Sequence, residues 1–136
     1  MIQEQYVSFE TAKLLKEKGF NEKCWGLYAS IFDDDNPRIE YEKWTEVAHN
    51  NQFFEEAFVC SAPTQQMAMR WLREVHNLHV QVWILTDNGY WYDIEKILDV
   101  NYNHKPVYST GLCDIYYKSY EEACEAAIKY CLENLI

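Results

Sequence analysis

Apolar positions recur three and four residues apart in three stretches of the chain and alternate with polar ones in several others, so both helices and strands are predicted. The first helix opens at Ser8, whose hydroxyl can accept the orphan amide near Thr11. Phe9, Ala12 and Leu15 share one face, Lys13, Lys16 and Glu17 the other, and Gly19 stops it. A second helix is announced by Pro63 in the first turn, carries Ala68, Trp71, Leu72 and Val75, and ends near Asn77. The third begins with a capping box, Ser119 and Glu122, and has the longest stripe: Tyr120, Ala123, Cys124, Ala127, Ile128, Cys131 and Leu135. Strands are predicted from β-branched and aromatic runs at 24–30, 79–86, 90–97 and 112–117, with two weaker segments near 39–44 and 54–60. Each helix has one apolar and one wet face, as a helix covering a sheet requires. The expected class is α+β: three helices packed on one face of a largely antiparallel sheet of four to six strands, in a single globular domain over 1–136.

The string TDNGY between two strands predicts a hairpin, and its loop length decides which side chains share a face. A two-residue loop at Asn88-Gly89 would set Ile84 against Asp93 and Val82 against Glu95, mixing apolar residues with acids. A three-residue loop, Asp87-Asn88-Gly89 with Gly89 left-handed, instead pairs Ile84 with Tyr92 and Val82 with Ile94. That register gives one clean apolar face and leaves Gln81, Trp83, Leu85, Trp91, Asp93 and Glu95 on the other.

Charge narrows the partners. The formal net charge is −10, and eight acids against two bases fall within 33–56. That sign argues against nucleic acid, whose affinity for proteins comes from Lys and Arg displacing counterions. With 4 Gly and neither GxGxxG nor GxxxxGK, a phosphate-cradling loop is not expected. No stretch approaches the roughly 18 apolar residues of a membrane span, and the start lacks the form of an export signal, so a cytoplasmic protein is expected. The acidic string DDDNP at 33–37 resembles a calcium loop only superficially, because the sixth and twelfth loop positions are Arg38 and Trp44. It reads as a solvated turn.

Three groups of side chains are candidates for function. Trp83, Leu85 and Trp91 stand on the hairpin face away from the inferred core, where they form an aromatic platform for a partner unless residues 33–60 fold over them. Arg70 and Arg73, three apart around Trp71, could clamp an anionic ligand, although such a pair is more often a solvated face. His76 and His79 straddle a helix end and a strand start, so a metal site is not expected from them. The 5 cysteines, Cys24, Cys60, Cys113, Cys124 and Cys131, are odd in number and lack a CxxC pair, so they read as free thiols of the core. No Ser, Thr or Cys lies in a nucleophile motif, and Glu121 and Glu122 face water. No catalytic residue, cofactor or metal is expected.

The strings VSFETAKLLKEKGFNEKC, SAPTQQMAMRWLREVHNLHV and YKSYEEACEAAIKYCLENLI resemble a family of small uncharacterised proteins common in phages and prophages of gut Bacteroidales. The pattern is a helix, a strand, APTQ with WLRE, and a closing TYEEA helix, and this chain departs from it only by Ser119 where Thr is usual. About half the chain is covered. No activity is established for that family, so the resemblance implies a bacterial or phage setting and assigns no residue a role. The leading expectation is a non-enzymatic interaction module of a mobile element that engages a protein partner or itself, with no nucleic acid and no membrane. The alternative is a small-molecule binder or small enzyme with a pocket between sheet and helices, holding an anion near Arg70 and Arg73.

Overall fold

Ser8 caps the first helix, α1 (Phe9–Glu17), as expected: its hydroxyl accepts the Thr11 N–H at 3.2 Å, and Thr11, Ala12 and Leu15 are buried. Gly19 ends it with φ 92°, a conformation that costs glycine little. In the computed structural model, residues 1–29, 38–40, 50 and 58–136 are described, and the chain divides into two compact units, Met1–Thr64 and Gln65–Ile136. The string at 33–37 and most of the acidic stretch 33–56 lie outside the described residues.

In the first unit, β1 (Leu27–Ala29) is the centre of a three-stranded antiparallel sheet, flanked by β2 (Arg38–Glu40) and β3 (Phe58–Ser61). Within the predicted strand at 24–30, whose last residue lies outside the described residues, Leu27–Ala29 form β1 and are all buried, and α1 lies beside β3. The Tyr28 hydroxyl donates to the Val7 carbonyl at 2.6 Å, which gives the buried phenol its partner.

The second unit contains α2 (Gln65–His76), β4 (Leu78–Leu85), β5 (Gly89–Ile97), β6 (His104–Ser109), a 3₁₀ turn (Gly111–Cys113) and α3 (Tyr120–Asn134). Its sheet is antiparallel in the order β4-β5-β6. The class is therefore α+β, but the described strands form two sheets of three where one sheet was expected. Alternation shows that a segment is a strand and does not show which strand it joins. The expected strand at 112–117 is a correction: it is the 3₁₀ turn followed by one bridging residue, Tyr117. The third strand of the sheet is instead His104–Ser109, whose sequence HKPVYS lacks alternation because it lies at an edge and stays largely exposed.

Helix α2 starts at Gln65 and not at Pro63, and its buried face is Gln65, Ala68, Met69, Trp71 and Leu72. Val75, expected in the stripe, is 54% exposed. Gln65 is buried because its amide donates to the Glu121 carbonyl at 3.0 Å and to Glu125 Oε2 at 3.2 Å. Helix α3 has Ser119 accepting the Glu122 N–H at 3.1 Å, and buries Ala123, Cys124, Ala127, Ile128, Cys131 and Leu132. Its two expected stripe ends differ, with Tyr120 exposed and Leu135 half-buried. Both helices pack on β4, and α3 also on β5, where Tyr92 and Ile94 are the buried residues. Rings fill the space beside them: Tyr92 lies 5.9 Å from both Tyr108 and Tyr117, and Tyr108 stacks on Tyr130 at 3.8 Å.

The hairpin keeps the expected faces but not the expected partners. Ile84 lies opposite Tyr90 and Val82 opposite Tyr92, because the loop is Thr86–Asp87–Asn88 and Leu85 pairs with Gly89. Asp87 takes the left-handed turn position (φ 68°), and Asn88 N–H closes the turn on the Leu85 carbonyl at 3.2 Å. Gly89 is needed one step later, inside the strand, where φ is 100° and a Cβ would collide with the Tyr117 carbonyl. The slip is two residues, so every side chain stays on its expected face.

The far edge of β5 is completed by other parts of the chain. Tyr90 and Tyr117 exchange two backbone bonds of 2.9 and 2.7 Å. Tyr92 is met by Thr110, whose hydroxyl accepts the Tyr92 N–H at 2.9 Å and donates to its carbonyl at 3.1 Å. Thr110 is buried, so a replacement without the hydroxyl strands that N–H away from water. Thr110→Val is expected to cost about 1–3 kcal/mol in a denaturant melt, whereas Thr110→Ser retains most of the stability. Equal melts for the two variants would show that the hydroxyl is not what holds Tyr92.

Four of the five thiols are buried as expected, and Cys113 in the 3₁₀ turn is not; all are free. Burial pushes Cys60 and Cys124 up to about 11, Cys131 to about 12, and Cys24 in the same direction. Protonated thiols are poor nucleophiles, so a neutral thiol reagent should modify one site in the native protein, Cys113, and five in denaturant. Because the folded-state values are raised, the stability that these thiols contribute is full below the ordinary value of 9.0 and declines as pH rises from there through 11 and 12. Fast native labelling of two or more thiols would contradict the assigned core.

Ala127 lies at the centre of the buried face of α3 and is fully buried. Ala127→Glu places a charge there without a partner, and should cost several kcal/mol of a total near 5–15 kcal/mol, read as a large fall in melting temperature. A parental melt would refute the assigned face.

Candidate functional site

Alternation along β4 and β5 decides what the uncovered face of the second sheet carries. The helices take the face with Val80, Val82, Tyr92 and Ile94, which leaves His79, Gln81, Trp83 and Leu85 on β4 and Trp91, Asp93, Glu95 and Ile97 on β5 for the other.

Trp83 and Trp91 are directly opposite each other in the ladder, and their rings stack at 5.9 Å with planes 23° apart. Trp83 is 44% exposed and Leu85 41%, while Trp91 is partly covered. The cover on Trp91 comes from Gly111, where a Cβ would sit 2.8 Å from the indole. The Trp83 indole N–H donates to Asp93 Oδ2 at 3.1 Å, which fixes the ring against its stacked partner. The other oxygen, Asp93 Oδ1, and Glu95 Oε2 are buried with no hydrogen-bond partner. The three residues expected to bind a partner, Trp83, Leu85 and Trp91, are thus on one face near the hairpin tip, with two of them exposed. Asp93 is expected from the sequence only as a member of that face; in the observed register it lies opposite Gln81 and reaches Trp83 as a diagonal neighbour.

The other end of the same face is a groove of about 950 Å³ lined by Arg73, Glu74, His79, Glu95, Asp99 and His104 among others. Its outer wall is the turn after β5, where Asp99 accepts the Asn103 side-chain amide at 2.7 Å and the Asn101 N–H at 2.9 Å. The Asn103 amide leads in holding the Asp99 carboxyl below its usual range. Sequence reading missed this groove, since the only local signal was the turn composition DVNYN.

Arg70 and Arg73 are both exposed on α2, but they are not joined into one clamp. Arg70 Nε is paired with Glu74 Oε1 at 3.0 Å, one helical turn on, and of the two arginines only Arg73 lines the groove. There it stands among three carboxylates, Glu74, Glu95 and Asp99, a poor setting for an anion. His76 closes α2 with its ring edge-on to Trp71 at 4.6 Å, and burial followed by the nearby Lys96 charge lowers its pKa. His79 is across the chain turn in the groove. Among the described residues no group of three His, Cys, Asp or Glu could hold a metal ion, and no helix is long and apolar enough to cross a membrane. Comparison of the chain with protein-family models, with curated proteins and with solved structures finds no match.

Proposed function

We propose that this chain is a non-enzymatic protein-interaction module of a phage or other mobile element, acting in the cytoplasm of a bacterial or phage-infected cell, and that Trp83, Leu85 and Trp91 contact the partner. The observation that carries the reading is the stacked indole pair at the tip of the second sheet, of which Trp83 is exposed and Trp91 half-buried. An indole left partly open to water in a folded chain forgoes part of the stabilisation of burial, and recovers it when a partner covers the ring. The pair is already held in one orientation by its stacking and by the Asp93 hydrogen bond, so little side-chain freedom is lost on association. Asp93 and Glu95 on the same face, in a chain of net charge −10, favour a partner that presents Lys or Arg beside an apolar patch. The setting in a phage or prophage follows from the resemblance of the three helical and loop strings. The alternative, an anionic ligand held by Arg70 and Arg73, loses ground because Arg70 is paired with Glu74 and the groove beside Arg73 is rich in carboxylates.

The test is affinity purification from an infected or lysogenic host with the parent chain and Trp83→Ala in parallel. The variant is expected to lose the captured partner, a weakening of about 2 kcal/mol or more, with its melt changed by less than about 1 kcal/mol. Equal capture by both chains would sink the assignment of the face, and a collapsed melt would show the indole to be structural.

A further inference from the structure

The two edges of the second sheet are unlike. On β6, Pro106 pairs with Glu95 beside an irregularity in the ladder, and Lys105 precedes it. Proline, lysine and a bulge are the devices by which exposed edges avoid pairing. On β4 the eight residues LHVQVWIL contain none of these, and their pairing with β5 is regular throughout.

Which backbone groups of β4 face outward follows from the hydrogen bonds of β5. Tyr90 directs its N–H and C=O to Tyr117, and Tyr92 directs both of its groups to Thr110, away from β4 in each case. In an antiparallel ladder a residue that points away from its neighbour strand belongs to a non-hydrogen-bonded pair, and its opposite number points away as well. Ile84 is opposite Tyr90 and Val82 opposite Tyr92, so their amides and carbonyls face the open edge, and the alternation adds Val80, opposite Ile94. The N–H of Ile97 bonding toward the β4 side, to the Asn77 carbonyl at 2.8 Å, confirms the alternation at the other end. Among the described residues no backbone group is bonded to Val80, Val82 or Ile84 from outside. The Ile84 side chain above this edge is 72% exposed.

We infer that this edge pairs with the same edge of a second copy of the chain, antiparallel, about a twofold axis through Val82, so that two three-stranded sheets become one. The open run Val80–Ile84 is centred on Val82, and a twofold axis there sets Val82 against Val82 and Val80 against Ile84. Each outward N–H then meets an outward C=O, as an isologous interface demands. Leu78 does not extend the run because it is already buried. Charge does not oppose a copy of the same chain: although the molecule carries −10, no Asp, Glu, Lys or Arg occurs from Leu78 to Thr86, so the seam brings no like charges together. The pairing uses the backbone edge of β4, whereas the partner contact proposed above uses side chains on one face of the sheet; in this register Trp83 lies opposite Gln81 of the second copy, and Trp91 on β5 is clear of the seam.

Sedimentation equilibrium of the full chain over a hundredfold range of concentration, with amide hydrogen exchange at both ends of the range, tests the pairing. The mass is expected to double, and the amides of Val80, Val82 and Ile84 to exchange slowly in the dimer and fast after dilution. Ile84→Pro removes one outward N–H and no bond to β5, so it should raise the dissociation constant by about tenfold or more and leave the diluted protein's melt unchanged. Trp91→Ala, on β5 and clear of the seam, should leave the dimer intact, which separates this result from loss of the facial partner. A monomer at every concentration overturns the inference, and so does a dimer in which the Val82 and Ile84 amides exchange freely or which Ile84→Pro does not weaken.

Discussion

Strand β5 must have a hydrogen-bonding neighbour on both sides, and the second unit is arranged around that requirement. A central strand with an unanswered buried amide loses about 1–3 kcal/mol per group. β6 supplies partners for 93–97, but it cannot reach the first half of the strand. The chain after β6 therefore turns back through the 3₁₀ turn, offering first the Thr110 hydroxyl to Tyr92 and then the Tyr117 backbone to Tyr90. This return path also brings Gly111 against Trp91 and delivers the chain to Ser119, the cap of α3. One backbone demand thus places a tryptophan, a helix start and the sheet's irregular edge.

The same demand determines how the two faces differ. Tyr92 and Ile94 are buried under α3, where the tyrosine rings of 108, 117 and 130 gather, so the covered face is aromatic and closed. The opposite face holds Trp83 in the open, braced by the half-buried Trp91 and by Asp93. Aromatic residues are thus used in two ways on one sheet: as core where an amphipathic helix is available to cover them, and as a fixed outward surface where none is.

How much of this was legible in the sequence depended on the range of the interaction involved. Ser8 and Ser119 were readable as caps because the hydroxyl and the amide it accepts are three residues apart. The buried stripe of α3 was readable because its period is local. The strand HKPVYS was missed because an exposed edge strand has no side to alternate toward, and 112–117 was misread because its apolar run sits in a turn. For the site, Trp83, Leu85 and Trp91 were placed on one face from parity alone. The bond from Trp83 to Asp93 was not, since sharing a face does not say which acceptor an indole N–H takes, and neither was the groove between β4 and the turn at Asp99, whose lining comes from separate elements.

The hairpin shows where that boundary lies. Choosing the loop by the apolar pattern selects an even register over an odd one, because an odd slip would turn Val82 and Ile84 to the wrong face. It cannot distinguish two even registers, as both leave the faces unchanged and differ only in which residues are opposite. In the fold Leu85 pairs with Gly89, while Tyr117 takes up the backbone of Tyr90 and leaves no room for a Cβ at 89. Side-chain direction follows from parity and can be read locally, whereas backbone direction at an edge follows from whatever occupies the far side of the neighbouring strand. The face of β4 was consequently visible in the sequence, and its edge became visible only in the fold.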